Sequence, residues 1–204
     1  MEPETSAELR QIPLATLIPL RVTERAHALA TEILWPGDIV IDGTCGKGRD
    51  TAFLAQAVGP SGHVHAFDIQ AEAITSTDNL CGLAGLGARV SLHHRSHAEI
   101  AFAVPAGHLG KVGVAMFNLG FLPGGNPSII TKPDSTAPAL RAAFAALRPG
   151  GRLICATYTG HPGGMDESAM VLTFADECAS AGHPVEKIGH VPNPGKPWIL
   201  VVGK

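Results

Sequence analysis

The sequence predicts an α/β fold, a seven-stranded and mostly parallel sheet with helices on both faces, and three observations predict it. Short apolar runs alternate with amphipathic stretches from residue 24 onward. The first such run, in DIVIDGTCGKGRDT (38–51), passes straight into a turn carrying Gly43, Gly46 and Gly48. The second, HVHAF, ends on Asp68, at about the separation at which an acidic side chain meets a ribose in sheets of this kind.

Taken in order, the pattern predicts a helix over 24–34 ended by Pro36-Gly37, a strand over 39–43 and a helix over 49–57. A strand over 63–67 precedes Asp68, a helix covers 71–83, and a strand over 89–93 follows a Gly-rich turn. A short helix near 97–103 leads to the apolar strand VGVAMF (112–117), which ends at Asn118. The longest irregular segment follows, LGFLPGGNPSIITKPDS, and loops of that length in small domains are usually functional or disordered. A helix over 135–147 stops at Pro149-Gly150-Gly151, then come a strand over 152–157, the loop TGHPGGMDE and a helix over 166–181. Two last strands, near 185–191 and 197–202, are joined by VPNPGKP and give the sheet an antiparallel close.

Composition sets the frame. The chain has 204 residues, 45% hydrophobic and 16% charged, which fits an ordered globular protein with one domain over 24–204 after an extension at 1–23. A net charge of -3 gives no global nucleic-acid signature, although total charge does not fix its local distribution. Cys45, Cys81, Cys155 and Cys178 form no C-x-x-C pair, which argues against a zinc site or a disulfide framework and for a reducing cytoplasm. The apolar run Ile12–Leu20 is interrupted by Pro13, Thr16 and Pro19 and follows three acids in eight residues, a pattern of neither a signal peptide nor a membrane span. Its LATLIPL segment offers a surface either for self-association as a homodimer or for packing on the domain's own helices.

The glycine turn brings helix-start amides close to a ligand because Gly has no Cβ to hold it off. A dinucleotide site needs G-x-G-x-x-G, but Gly46 and Gly48 are followed by Thr51. A P-loop needs Lys after the last Gly, and Lys47 precedes it. The remaining pattern, D-x-x-x-G-x-G from Asp42 to Gly48, resembles the first motif of class I methyltransferases, Rossmann-like proteins that bind S-adenosylmethionine.

Ligands of open α/β sheets bind at the carboxyl ends of the strands. Those ends nominate Asp42, Gly46, Lys47, Gly48, Asp50, Thr51, Asp68, Gln70, Ser96, His97 and Asn118 as cofactor-binding residues. Asp68 would take both ribose hydroxyls, with Gln70 and His97 as walls of an adenine pocket. Alternate residues of a strand face opposite ways, so His93, His94 and His97 are not expected to share a metal.

The segment Asn118-Leu119-Gly120-Phe121 partly resembles the [DNS]-P-P-[FY] motif of amino-group methyltransferases, with the Asn and the aromatic in place and Pro-Pro missing. In them the Asn or Asp carbonyl holds the target amine. DGTCGKGRDTAFLA, FDIQ, MFNLGFLPGG, SIIT and the YTGHPGG block are together similar to a bacterial family described as putative rRNA methylases, over about residues 24–204. Characterised members of that family methylate tRNA, adding the methyl of 5-methylaminomethyl-2-thiouridine at the wobble position. The resemblance implies S-adenosylmethionine as cofactor and a tRNA anticodon stem-loop as partner. Asn118, His161 and Tyr158 are then the catalytic candidates. Phe121, Leu122, Pro123, Gly124, Lys132, Tyr158, His161 and Glu167 are the substrate-binding ones. Family members more often carry D-A-T-x-G-N-G-H-D-T, so Gly43, Lys47 and Arg49 are departures, and Lys47 faces either the cofactor carboxylate or RNA.

Two other readings stay open on residues alone. One is a methyltransferase acting on a small amine or a protein, and the other is a non-catalytic S-adenosylmethionine-binding protein. An NAD-linked oxidoreductase is disfavoured by Thr51 and by the lack of a hydride-transfer constellation.

Overall fold

In the computed structural model, which describes residues 21–126, 128–189 and 194–204, seven strands form one sheet. They are β1 (Ile39–Asp42), β2 (His63–Asp68), β3 (Val90–His94), β4 (Val112–Leu119), β5 (Leu147–Thr157), β6 (Val185–Gly189) and β7 (Trp198–Gly203). Their order is β3-β2-β1-β4-β5-β7-β6, with β7 antiparallel to both neighbours and the other pairs parallel. The helices are α1 (Val22–Thr31), α2 (Arg49–Val58), α3 (Ala71–Leu83), α4 (Ile100–Ala103), α5 (Pro133–Ala146) and α6 (Gly164–Ser180). The LATLIPL segment and part of the VPNPGKP turn lie outside the described residues.

The pleat sorts each strand onto two faces. Ile41, Phe67, Ala115, Phe117, Leu119, Leu153 and Cys155 pack with residues of α4, α5 and α6 such as Ile100, Leu140 and Phe174. Val40, Val64, Ala66, Val114, Met116 and Ile154 pack with Leu29 of α1 and Leu54 and Val58 of α2. Asn118 continues the second series, two residues beyond Met116. Strand order reverses between β1 and β4, so their carboxyl ends flank the crevice where such sheets take ligands.

The expected elements occur in the expected order with shifted boundaries, among them those of α1, which ends at Thr31, α5 and β5. Helix α5 begins at Pro133, because proline at the first helical position loses no needed N–H and has its φ already set. Strand β5 starts at Leu147, earlier than expected, and Pro149-Gly150-Gly151 form an irregularity within it: Val112 pairs with Leu147, but Val114 pairs with Arg152. Gly151 leaves no room for a side chain, since a Cβ there would lie 2.8 Å from the Arg148 carbonyl. Arg152 then fastens α1 to the sheet, donating to the Leu29 carbonyl at 2.6 Å and to Glu32 at 2.7 Å.

On the side of the sheet order beyond β1, strands β2 and β3 and the 3₁₀ turn Ala106–His108 build a file of histidines. The rings of His93, His65 and His108 are linked through the two nitrogens of His65, at 3.1 and 2.8 Å, and His63 bonds Ser91 at 2.9 Å. Burial, then the neighbouring rings, drives His65 down to about 3. A depressed histidine pKa favours the neutral ring in the folded state, so its contribution is complete above about pH 6.5 and is lost as pH falls toward 3. The unfolding free energy from urea titration should therefore fall on acidification from pH 7 to 5, by roughly 1 to 2 kcal/mol for this one group. His65→Leu should flatten that slope.

Candidate active site

Asp42 ends β1 fully buried, and it organises the turn from below. Its carboxylate accepts from the Thr51 hydroxyl at 2.6 Å and from the Thr44 amide at 3.1 Å. Burial, reinforced by the charge of Asp50, pushes its carboxyl up to about 7. Gly48 caps α2 in the left-handed region, φ 81°, and a Cβ on it would meet the Thr77 backbone at 2.8 Å. A Cβ on Gly43 would meet the Phe117 ring at 2.1 Å. The loop is thus bare backbone pressed onto the sheet, with α2's first amides opening above it.

Asp68 closes the turn's far side. One carboxylate oxygen accepts from the Gly46 amide at 3.0 Å and the other from the Gln70 amide at 2.9 Å. A carboxylate has about four acceptor positions, so the group keeps capacity for two hydroxyls. Ile69 beside it is 54% exposed.

Across the crevice, the Asn118 backbone donates to the Thr44 hydroxyl at 2.8 Å. Its side-chain nitrogen donates to Asp50 at 2.5 Å, and the other Asp50 oxygen bonds His27 of α1 at 2.5 Å. The Asn118 Oδ1 is buried with no hydrogen-bond partner, a state shared among the described residues only by His161 Nε2. An unpaired buried acceptor costs about 1 to 3 kcal/mol, which is the mark of an atom awaiting a donor.

The segment after β4 returns on itself through a Phe121–Ile130 bridge and paired contacts between Gly120 and Thr131. Glu167 anchors it, accepting from Thr131 at 2.7 Å and from Thr136 of α5 at 2.6 Å. Burial pushes its carboxyl up. Beyond lies a pocket of about 190 Å³ lined by Phe121, Tyr158, Thr159, Gly160, His161, Gly195 and Pro197. The Phe121 and His161 rings meet edge to face at 6.1 Å. His161 Nδ1 donates to the Pro162 carbonyl at 3.0 Å, which leaves Nε2 as the acceptor nitrogen of the neutral ring. The Tyr158 phenol is raised by burial and then by Asp50.

The structure gathers most of the expected residues at this rim and moves several out of direct reach. Asp42, Thr51 and Glu167 are buried and spent on the protein itself. His97, expected as an adenine wall, is tied to the Gly43 carbonyl at 3.1 Å and to Ser135 at 3.3 Å. Ser96 caps the 3₁₀ turn that carries it. Leu122 packs near Gly46, and the exposed Lys47 reaches over Gly124, with Nζ 3.3 Å from where a Cβ would stand. Pro123 and Lys132 are exposed. Sequence reasoning missed His27, whose only signal is its place on the helix facing the same side of the sheet as Asn118.

A bare-backbone turn, a free-handed Asp68 and an open acceptor on β4 fit S-adenosylmethionine, with its ribose, its amino-acid tail and its reactive methyl. The family model described as "Putative rRNA methylase" matches residues 64–204. The chain belongs to this family. It is 42% identical to the chloroplastic tRNA (mnm(5)s(2)U34)-methyltransferase of Arabidopsis thaliana over 163 residues, 76% of this chain. It spans only 58% of that relative's length. It is also 34% identical over 89 residues to ribosomal RNA small subunit methyltransferase H of Ralstonia nicotianae, covering 43% of this chain and 26% of that protein. Among solved structures, a putative rRNA methylase from Clostridium thermocellum superposes with a TM-score of 0.84 at 32% identity, over 92% of this chain and all of that one. A putative methyltransferase from Streptococcus mutans in complex with SAH gives 0.78 at 28%, over 91% and 98%. The fold is therefore the Rossmann-like class I methyltransferase fold, and the family's cofactor is S-adenosylmethionine.

If Glu167 acts as an anchor and not as a substrate contact, Glu167→Ala should lower the unfolding free energy by about 1 to 3 kcal/mol. A substrate-contacting surface carboxylate would leave the denaturation midpoint unchanged.

Proposed function

We propose that the chain is a tRNA N-methyltransferase that converts the 5-aminomethyl group of a wobble 2-thiouridine, position 34, to 5-methylaminomethyl. The observation that carries this reading is the buried, partnerless Asn118 carbonyl at the end of β4. A carbonyl oxygen accepts and cannot donate, so it suits a substrate that brings N–H bonds. The activity named for the Arabidopsis relative supports the choice of amine.

Bound S-adenosylmethionine supplies an electrophilic methyl group on a sulfonium. Asp68 would hold its ribose, the Gly46–Gly48 backbone its amino-acid tail, and Gln70 and Ile69 the neighbourhood of its base. Asn118 Oδ1 accepts one N–H of the neutral amine and turns the nitrogen lone pair toward the methyl. An alkylamine is mostly protonated at pH 7, so a proton must leave before nitrogen attacks. His161, acceptor at Nε2, and Tyr158 flank the pocket from which that proton departs. Phe121 and Tyr158 offer aromatic surfaces on which a splayed base can stack, and Lys47, Arg49 and Lys132 are cations for loop phosphates. Holding amine and methyl in line is worth up to roughly 7 to 11 kcal/mol in favourable cases.

The second reading, an amine on a small molecule or a protein, is favoured by the net charge of -3. Labelled methyl transfer to tRNA from cells lacking this protein separates the two. The proposal expects 5-methylaminomethyl-2-thiouridine in the digest, a loss of about 100-fold or more in Asn118→Ala, and binding that weakens steeply with salt. Unmodified tRNA together with intact cofactor binding would reject it.

A further inference from the structure

The Asn118 amide is nearly symmetric in shape, so packing alone does not decide which end faces the substrate. Reversed, it would present N–H groups that occupy the amine's lone pair instead of accepting its N–H. We propose that His27 and Asp50 are positioning residues that lock the Asn118 carbonyl toward the acceptor nitrogen, a role that rests on the methyltransferase reading above.

The lock follows from which atoms can donate. An ionised carboxylate only accepts, and Asp50 lies 2.5 Å from the Asn118 nitrogen. Turning the amide over would set oxygen against oxygen at that distance. Asp50 sits in the first turn of α2, two residues past the left-handed Gly48, so its backbone is fixed and its charge is favoured by the helix dipole. Its second oxygen is held by His27 Nε2, which must carry the proton, because the carboxylate offers none. The His27 ring is stacked on Phe53 at 3.8 Å with the planes 4° apart, and α1 is itself fastened to β5 by Arg152. Five groups in series, Arg152, α1, His27, Asp50 and Asn118, thus carry the order of the sheet to one carbonyl oxygen. Neither His27 nor Asp50 falls within the residues matched by the family model.

Two readouts on the full-length protein test this. The first is the side-chain amide spectrum of ¹⁵N-labelled protein, with Asn118→Ala to assign the pair. One Asn118 amide proton should lie downfield of the other side-chain amides and exchange slowly with water. It should move back in Asp50→Ala and in His27→Phe, which keeps the stack on Phe53, and stay in place in His27→Gln, which restores a donor. The second is steady-state transfer to tRNA. His27→Phe should lower kcat by about 10- to 100-fold, the scale of a misplacement near 1 Å, with cofactor Kd and tRNA KM little changed, and His27→Gln should recover most of it. An unshifted amide proton in the wild type, or a wild-type kcat in His27→Phe, would overturn the inference. If the wild type methylates no tRNA, the RNA reading fails separately, and the amide spectrum alone decides the lock.

Discussion

The hydrogen bond between the Asn118 amide and the Asp50 carboxylate joins the two edges of the crevice at which the sheet reverses its order. β1 delivers the turn and α2, and β4 delivers Asn118, so this bond spans the two arms of the topological switch. Its existence depends on the pleat. Asn118 shares a face with Val114 and Met116, whose side chains pack toward α1 and α2. A one-residue slip in β4 would turn it to the α5 face, away from Asp50.

Around that bond the protein spends its buried polar groups on holding loops. Asp42 secures the turn through Thr44 and Thr51, His97 ties the Gly43 carbonyl to Ser135, and Glu167 clamps the segment after β4 through Thr131 and Thr136. Asp42, Thr51, His97 and Glu167 stand out in the sequence by their chemistry, and each is close to the crevice. Asp42 and Glu167 are fully buried with both carboxylate oxygens engaged, and both ring nitrogens of His97 are bonded. The half-buried Asp68 carboxylate is held by two backbone amides, and Asn118 Oδ1 and His161 Nε2 are the buried side-chain atoms without a partner among the described residues.

The sheet was legible because apolar runs, glycine turns and helix stops repeat in a pattern set by local physics. Asp68 and Asn118 were legible as candidates because strand ends in such sheets face ligands. Which nearby polar residue touches ligand and which props up a loop was not, since it depends on a fraction of a helical turn. Glu167 and Asp50 each sit in the first turns of a helix beside the crevice, yet one is buried against two threonines and the other faces Asn118. The bulge at Pro149-Gly150-Gly151 escaped for a related reason, because a Pro-Gly-Gly run reads as a helix stop and says nothing of the strand pairing around it. His27 carries no motif and comes into view only when α1 is placed on the sheet.

On the proposed reading, the Asn118 carbonyl faces the reacting centre while Asp68 holds the ribose. A crystal structure with S-adenosylhomocysteine tests it most directly. Both ribose hydroxyls should lie on the Asp68 carboxylate and the sulfur on the Asn118 side of the crevice, with the Asn118 nitrogen still on Asp50. A ribose away from Asp68, or an Asn118 side chain turned from the sulfur, would contradict it.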